Sequence, residues 1–432
     1  MAIGAKRRRL PAGVAAVLAA LTAATATAQD DLRDRVVLVR GRLDKDNPVV
    51  KGRVLVPTAG DELLVLQGGK RVRIPRAEIE SLDLVGDRIR EFCKRRTQLA
   101  GSARGQWFLV QWAESHELPG LARAQATLLA LDDDNHAEAH EFLGHRQSGN
   151  RWLWPFEGRH LTLDKLEQAA EKKAFELVGE RFAVRCDGRI RAAVAALLDL
   201  ETLGVEFYER FGEPLRLEET LVPCLVDIKY STTSFEKWGF RPLPYYKPPP
   251  HGDVARTFYA GVAPTRPERL FYVGTEALLY HALIGEVDRQ SDRDRVCAWL
   301  EVGLGMVMEN LMGGPAGFAA AGNGQRTDVQ ALQALDRQFR VSSLLHLPMY
   351  GGFYLVDDTP TAIHWASAAM FVTWLLEEGN QPPTRTSFLA FVRKALGEKK
   401  GDSSSLFDEV MGRRIEELEE PWSRWLVKQA SK

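Results

Sequence analysis

The residue types best suited to chemistry sit in the C-terminal half, around one histidine. His281 closes the run Glu276-Ala-Leu-Leu-Tyr-His281, and Glu301 lies in Trp299-Leu-Glu-Val-Gly-Leu-Gly305. Imidazole and carboxylates on neighbouring helices are the donors that hold zinc or take a proton from water. Spacing limits that chemistry: five steps along an ideal helix leave Glu276 and His281 about 140° apart, too far to share one ion. His364, beside Trp365, is a further imidazole in this half, and Cys297 and His281 are the residue types of a thiol–imidazole pair, with no orienting third group identifiable. His136, His140 and His145 include an i, i+4 pair, but only Glu141 stands near them at ligand spacing and their neighbours are surface types, so they read as structural. No nucleophile elbow, P-loop or dinucleotide fingerprint is present in the sequence.

These residues need elements to hold them. Ala193, Leu197, Leu200, Leu203, Phe207 and Tyr208 recur on one side of a helix expected over 190–211, between β-rich runs at 182–186 and 221–228. That order fits an α/β or α+β layer. Cys186 and Cys224 fall on the two runs, which read as neighbouring strands, and are the candidate disulfide pair; four buried thiols are the alternative. From 91 to 172 the period is helical, broken at Pro119-Gly120, and the small residues after Leu121 resemble a tetratricopeptide-type hairpin of one or two repeats. Trp152 and Trp154 follow a turn at Gly149-Asn-Arg and read as an aromatic anchor. Between 35 and 84, short β-rich runs with close turns predict a small antiparallel barrel or meander.

Composition narrows the function classes. The 432 residues are 45% apolar and 27% charged, which suits globular domains and excludes a disordered or collagen-like chain. Lys+Arg 57 against Asp+Glu 58 gives a formal charge of -1, which argues against nucleic acid as the partner. Lys6, Arg7, Arg8 and Arg9, an apolar run over 10–21 and Ala26-Thr-Ala28 together read as a signal peptide, removed after residue 28. Cleavage takes four basic residues and no acidic one, so 53 cations face 58 anions and the mature chain carries −5. The expectation is an exported protein, periplasmic or extracellular, with no integral membrane segment in the mature chain.

The segments Ala277-Leu-Leu-Tyr-His281-Ala-Leu-Ile-Gly285 and Trp299-Leu-Glu-Val-Gly-Leu-Gly305 resemble the zinc helix and third-ligand helix of the peptidase MA-like family, the gluzincin metallopeptidases. The resemblance spans about 180–425 and extends to helices near Ile363–Leu376, Phe407–Leu418 and Trp422. It implies a mostly helical zincin-like domain with a small sheet. Three of the family's working positions are replaced: Ala277 stands at the first histidine, Leu278 at the glutamate base and Val302 at the glutamate ligand. Only His281 is kept, and Glu301 is rotated about 100° from the ligand direction. The expected class is therefore α+β, divided as signal peptide 1–28, small β domain 29–90, tetratricopeptide-like helices 91–175 and peptidase-like domain 176–432. No metal and no catalytic residue are expected; the protein would capture a peptide or protein segment by strand addition in the cleft. An active zinc peptidase with unusual ligands and a structural scaffold are the alternatives.

Overall fold

The computed structural model describes residues 34–39, 49–55, 61–67, 70–217, 222–230, 244–247, 253–259, 266–284, 297–320, 340–347, 352–353, 358–377, 384–397 and 403–431. Residues 1–28, read as a signal peptide, lie outside these.

Alternation of β-branched and polar residues builds the first sheet from β1 (Asp34–Leu38), β2 (Val49–Val54), β3 (Glu62–Gln67), β4 (Lys70–Pro75) and β5 (Ile79–Asp83). Every pairing is antiparallel, in the order β4-β3-β2-β1-β5. Of the two shapes expected here, the meander is present: the described strands form an open sheet, not a closed barrel. Val36, Leu38, Val54, Leu63, Val65 and Ile74 point to one side and form a core of their own. Gly52 sits where a Cβ would lie 2.6 Å from Val65 and 2.7 Å from the Leu66 carbonyl, so a larger residue would push β2 off β3.

Helices follow without a linker. Helix α1 (Val85–Leu99) begins two residues after β5 ends, and the buried Asp34 joins the two parts. One Asp34 oxygen accepts the Val54 N–H and the other the Val85 N–H, each at 2.7 Å. The next helices are α2 (Ala103–Ser115), capped by Ser102, and α3 (Pro119–Asp132), with proline at its first turn. Buried Ala122, Ala124, Ala126 and Ala130 let α3 lie close to its neighbours. After α4 (Ala137–Phe142) the helical expectation fails: β6 (Arg146–Ser148), β7 (Arg151–Phe156) and β8 (Arg159–Leu161) form a three-stranded antiparallel sheet before α5 (Leu163–Ala170). Its turns are set by left-handed residues, Gly149 in one and Glu157-Gly158 in the other, a conformation that favours tight hairpins.

The third sheet carries the expected α+β layer. It contains β9 (Phe175–Val178), β10 (Phe182–Cys186), β11 (Cys224–Lys229), β12 (Tyr245–Lys247) and β13 (Val254–Phe258), in the order β12-β13-β11-β10-β9. The three central strands are parallel and the two edges antiparallel. The 26-residue α6 (Ile190–Leu215) makes the crossover from β10 to β11. The register overturns the disulfide: Cys224 pairs with Phe182, and Cys186 lies four residues further along, about 13 Å away, beyond the reach of a disulfide. All four cysteines are free, and burial pushes the Cys186 thiol up to about 12. Alkylation under denaturing, non-reducing conditions is expected to modify four cysteines per chain; two protected thiols would contradict this register.

The remaining helices stack beside α6: α7 (Leu270–Leu279) running into a π-helical turn (Tyr280–Ile284), α8 (Ala298–Ala320), α9 (Val341–Leu345), α10 (Asp358–Glu377), α11 (Thr384–Gly397), α12 (Ser403–Met411) and α13 (Glu419–Ala430). The glycines of the Trp299–Gly305 motif are packing devices. A Cβ on Gly303 would strike Val372 and lie 2.9 Å from the Ala368 carbonyl of α10, and one on Gly305 would lie 2.6 Å from the Tyr272 ring of α7. One hydrophobic core runs from Val85 to Leu426, so the helices before residue 175 and those after it are packed as one body. Among the described residues no helix is long and apolar enough to cross a membrane.

Candidate functional site

Helix α7 is fixed at its start before it presents anything at its end. Arg269, left-handed at φ 48, stands immediately before it, with its guanidinium 4.0 Å over the Trp365 ring. Glu309 of α8 accepts the Tyr272 N–H at 2.8 Å, which satisfies a first-turn amide that has no partner within the helix. At the other end the α-helix widens into the π turn that contains His281. Single π turns in helices are frequent at functional sites.

The three positions that the resemblance reads as replaced are sealed. Ala277 and Leu278 on α7 and Val302 on α8 are each 0% exposed within the apolar core. His281 is 23% exposed and its Nε2 lies 2.8 Å from Oδ1 of Asp253. Of the four positions that the resemblance would set at a zinc site, three offer hydrocarbon and the fourth, His281, engages Asp253 through Nε2. Among the described residues no three His, Cys, Asp or Glu side chains gather as a metal would require.

What the fold assembles instead is a hydrogen-bonded chain. The Tyr246 hydroxyl donates to Asp253 Oδ1 at 2.7 Å, and the Tyr246 N–H donates to Glu276 Oε2 at 3.1 Å. The other Glu276 oxygen accepts the Tyr272 hydroxyl at 2.5 Å. Glu276 and His281 are thus linked through two residues, Tyr246 of β12 and Asp253. Tyr246 and Tyr280 rings lie 5.4 Å apart at 50°, and Tyr280 meets the His281 ring edge-on at 5.6 Å. Partial burial pushes the Asp253 carboxyl up, but the hydrogen bonds from His281 and Tyr246 outweigh it and hold it below the usual carboxylate range. Burial first, then the Asp253 charge, keeps the Tyr246 phenol protonated. Asp253 itself is left-handed, φ 47, a strained conformation for a residue with a side chain, and such strain gathers at working sites.

Of the residues expected in the cleft, Glu276 and His281 enter this chain. Glu301, half-buried on α8, and His364 do not: His364 places Nδ1 2.7 Å from the Gly352 carbonyl. Asp253 and Tyr246 carried no signal in the sequence beyond a Gly-Asp pair and a Tyr-Tyr pair in a proline-rich stretch.

The second histidine group is buried rather than superficial. His140 and His145 face each other Nδ1 to Nδ1 at 2.7 Å; His140 stacks on Trp152 at 4.5 Å and His145 packs on Trp154 at 4.0 Å. Burial lowers both, His145 to about 3. His136 caps α4 through the Ala139 N–H, so the three rings do structural work. No family model matches this chain, and no curated protein or solved structure matches it.

Proposed function

We propose that this chain is an exported, metallopeptidase-like protein that holds no zinc, does not hydrolyse, and works by binding a peptide or protein segment. One observation carries the reading: Ala277, Leu278 and Val302, at the positions where the resembled enzymes keep a ligand, a base and a second ligand, are apolar and fully enclosed. A zinc-bound water and a carboxylate to deprotonate it are the minimum for that hydrolysis, and Ala277, Leu278 and Val302 supply neither.

Strand addition, the mode expected from the sequence, meets an obstacle at β12. Among the described strands this is the edge beside the site, and the Tyr246 amide already donates to Glu276. The Glu276 carboxylate occupies the place an added strand's carbonyl would take. Recognition therefore falls to the side chains at the rim: Asp253, Tyr246, Tyr280 and His281.

The chain from residue 29, dialysed against a weak chelator, is expected to hold well under one zinc per molecule and to leave casein intact with zinc added. Near-stoichiometric zinc, with cleavage abolished by His281→Ala, would overturn the reading and restore a peptidase. The scaffold alternative has one feature in its favour, the separate core of the first sheet. It requires a bound segment to be retained when the rim residues are replaced.

A further inference from the structure

The rim has an asymmetry that points to a ligand class. Both hydrogen bonds to Asp253, from His281 Nε2 and from the Tyr246 hydroxyl, converge on the same oxygen, Oδ1. Among the described residues Oδ2 accepts none, and the Asp253 side chain is 44% exposed. An ionised carboxylate is thereby held rigid by one oxygen while the other is presented to solvent. The partners that hold it are aromatic: the Tyr246 ring, the imidazole, and Tyr280 packed against both. An ionised, fixed carboxylate favours a cation through charge, and a cation held there also lies near the packed rings of Tyr246 and Tyr280. The same charge disfavours an anion.

The geometry points to Asp253, with Tyr246 and Tyr280, as a subsite for a cationic side chain, the ammonium of lysine or the guanidinium of arginine, on a bound peptide. This deepens the binding reading above and rests on it. Each structural oddity of the region serves the subsite. Asp253 has a left-handed backbone, and its Oδ1 meets His281 of the π turn at 2.8 Å. Glu276, by holding the Tyr246 amide, fixes the strand that carries the aromatic wall. His281 and Tyr246 act here as positioning residues, since they orient the carboxylate that touches the ligand.

The test titrates the chain from residue 29 with N-acetylated, C-amidated fluorescent pentapeptides that differ only at the central residue: lysine, arginine, norleucine or glutamate. Blocking both ends leaves the side chain as the only cation. Lysine and arginine peptides are expected to bind about tenfold tighter than norleucine, and glutamate weakest, the preference of a partly shielded charge pair. Asp253→Asn should erase the preference for a cation, bringing the lysine and arginine peptides to within about twofold of norleucine. Tyr280→Leu, which leaves the carboxylate in place, should weaken lysine and arginine about two- to fivefold through loss of a ring face. Equal binding of all four peptides, or a cation preference that survives Asp253→Asn, would overturn the subsite and leave the binding reading intact. Binding of none of the four would overturn both.

Discussion

Glu201→Ala is expected to be strongly destabilising, lowering stability by about 3–5 kcal/mol. Glu201 lies on α6, is fully enclosed, and directs Oε1 at three consecutive backbone amides, those of Glu180 at 2.7 Å, Arg181 at 2.8 Å and Phe182 at 3.1 Å. These amides form the turn from β9 into β10, where Gly179 leaves room for the carboxylate: a Cβ there would collide with it. Alanine would leave three buried donors without an acceptor and remove the counter-charge of the buried Arg181. Glu201→Gln keeps an oxygen in place and should lose less than half as much. Urea denaturation of the three proteins reads the difference; an alanine variant within 1 kcal/mol of wild type, on the order of a surface substitution, would show that water or a shifted backbone replaces the carboxylate.

Glu180→Gln is expected to have the opposite sign and a strong dependence on pH. The Glu180 carboxylate is buried at the start of α3, where one oxygen accepts the Gly120 N–H at 2.9 Å and the Leu121 N–H at 3.3 Å. Burial, then the nearby Glu201 carboxyl, pushes Glu180 up to about 8, against an ordinary value of 4.5, with the two amides pulling the other way. Between those two pH values the folded chain keeps a proton that the unfolded chain gives up. Stability from this group is therefore fullest below about pH 4.5 and declines as pH rises to about 8. Glutamine accepts the same amide bonds and cannot ionise. At pH 8.5 the variant should be more stable than wild type by a few kcal/mol, on the order of two or three decades in the folding equilibrium, and near pH 4.5 the two should coincide. Parallel melting curves across this range would mean that Glu180 ionises freely in the folded chain.

The sequence was most legible where structure is local. The run 182–186 is β10 residue for residue, and the helix expected from 190 starts at Ile190 and runs four residues beyond the expected 211. Both depend on periodicity within one segment. The candidate site was half legible for the converse reason. His281 and Glu276 stand out because they are polar residues in an apolar helix, but Asp253 and Tyr246 reach them across 28 and 30 residues, through strand pairing that no spacing rule specifies. The π turn compounds this, since a side-chain angle computed for an ideal helix does not apply to His281. Disulfide reasoning failed on register: adjacency of two strands was legible, while the four-residue offset between Cys186 and Cys224 depends on how the whole sheet is aligned. The burial of His140 and His145 was not legible, because Trp152 and Trp154, which pack on them, belong to a small sheet whose strands are three to six residues long.

The joint at Asp34 has a mechanical consequence. Only Leu84 separates β5 from α1, and one carboxylate holds β2 with one oxygen and the first turn of α1 with the other. Glu117, which follows α2, reinforces it by drawing Arg35 of β1 to 2.6 Å. The first sheet is therefore a stiff handle, not a bead on a string. Whatever surface or partner the sheet is fixed to, its orientation and any tension on it pass directly into the helical body, and the rim around Asp253 faces a set direction relative to that attachment.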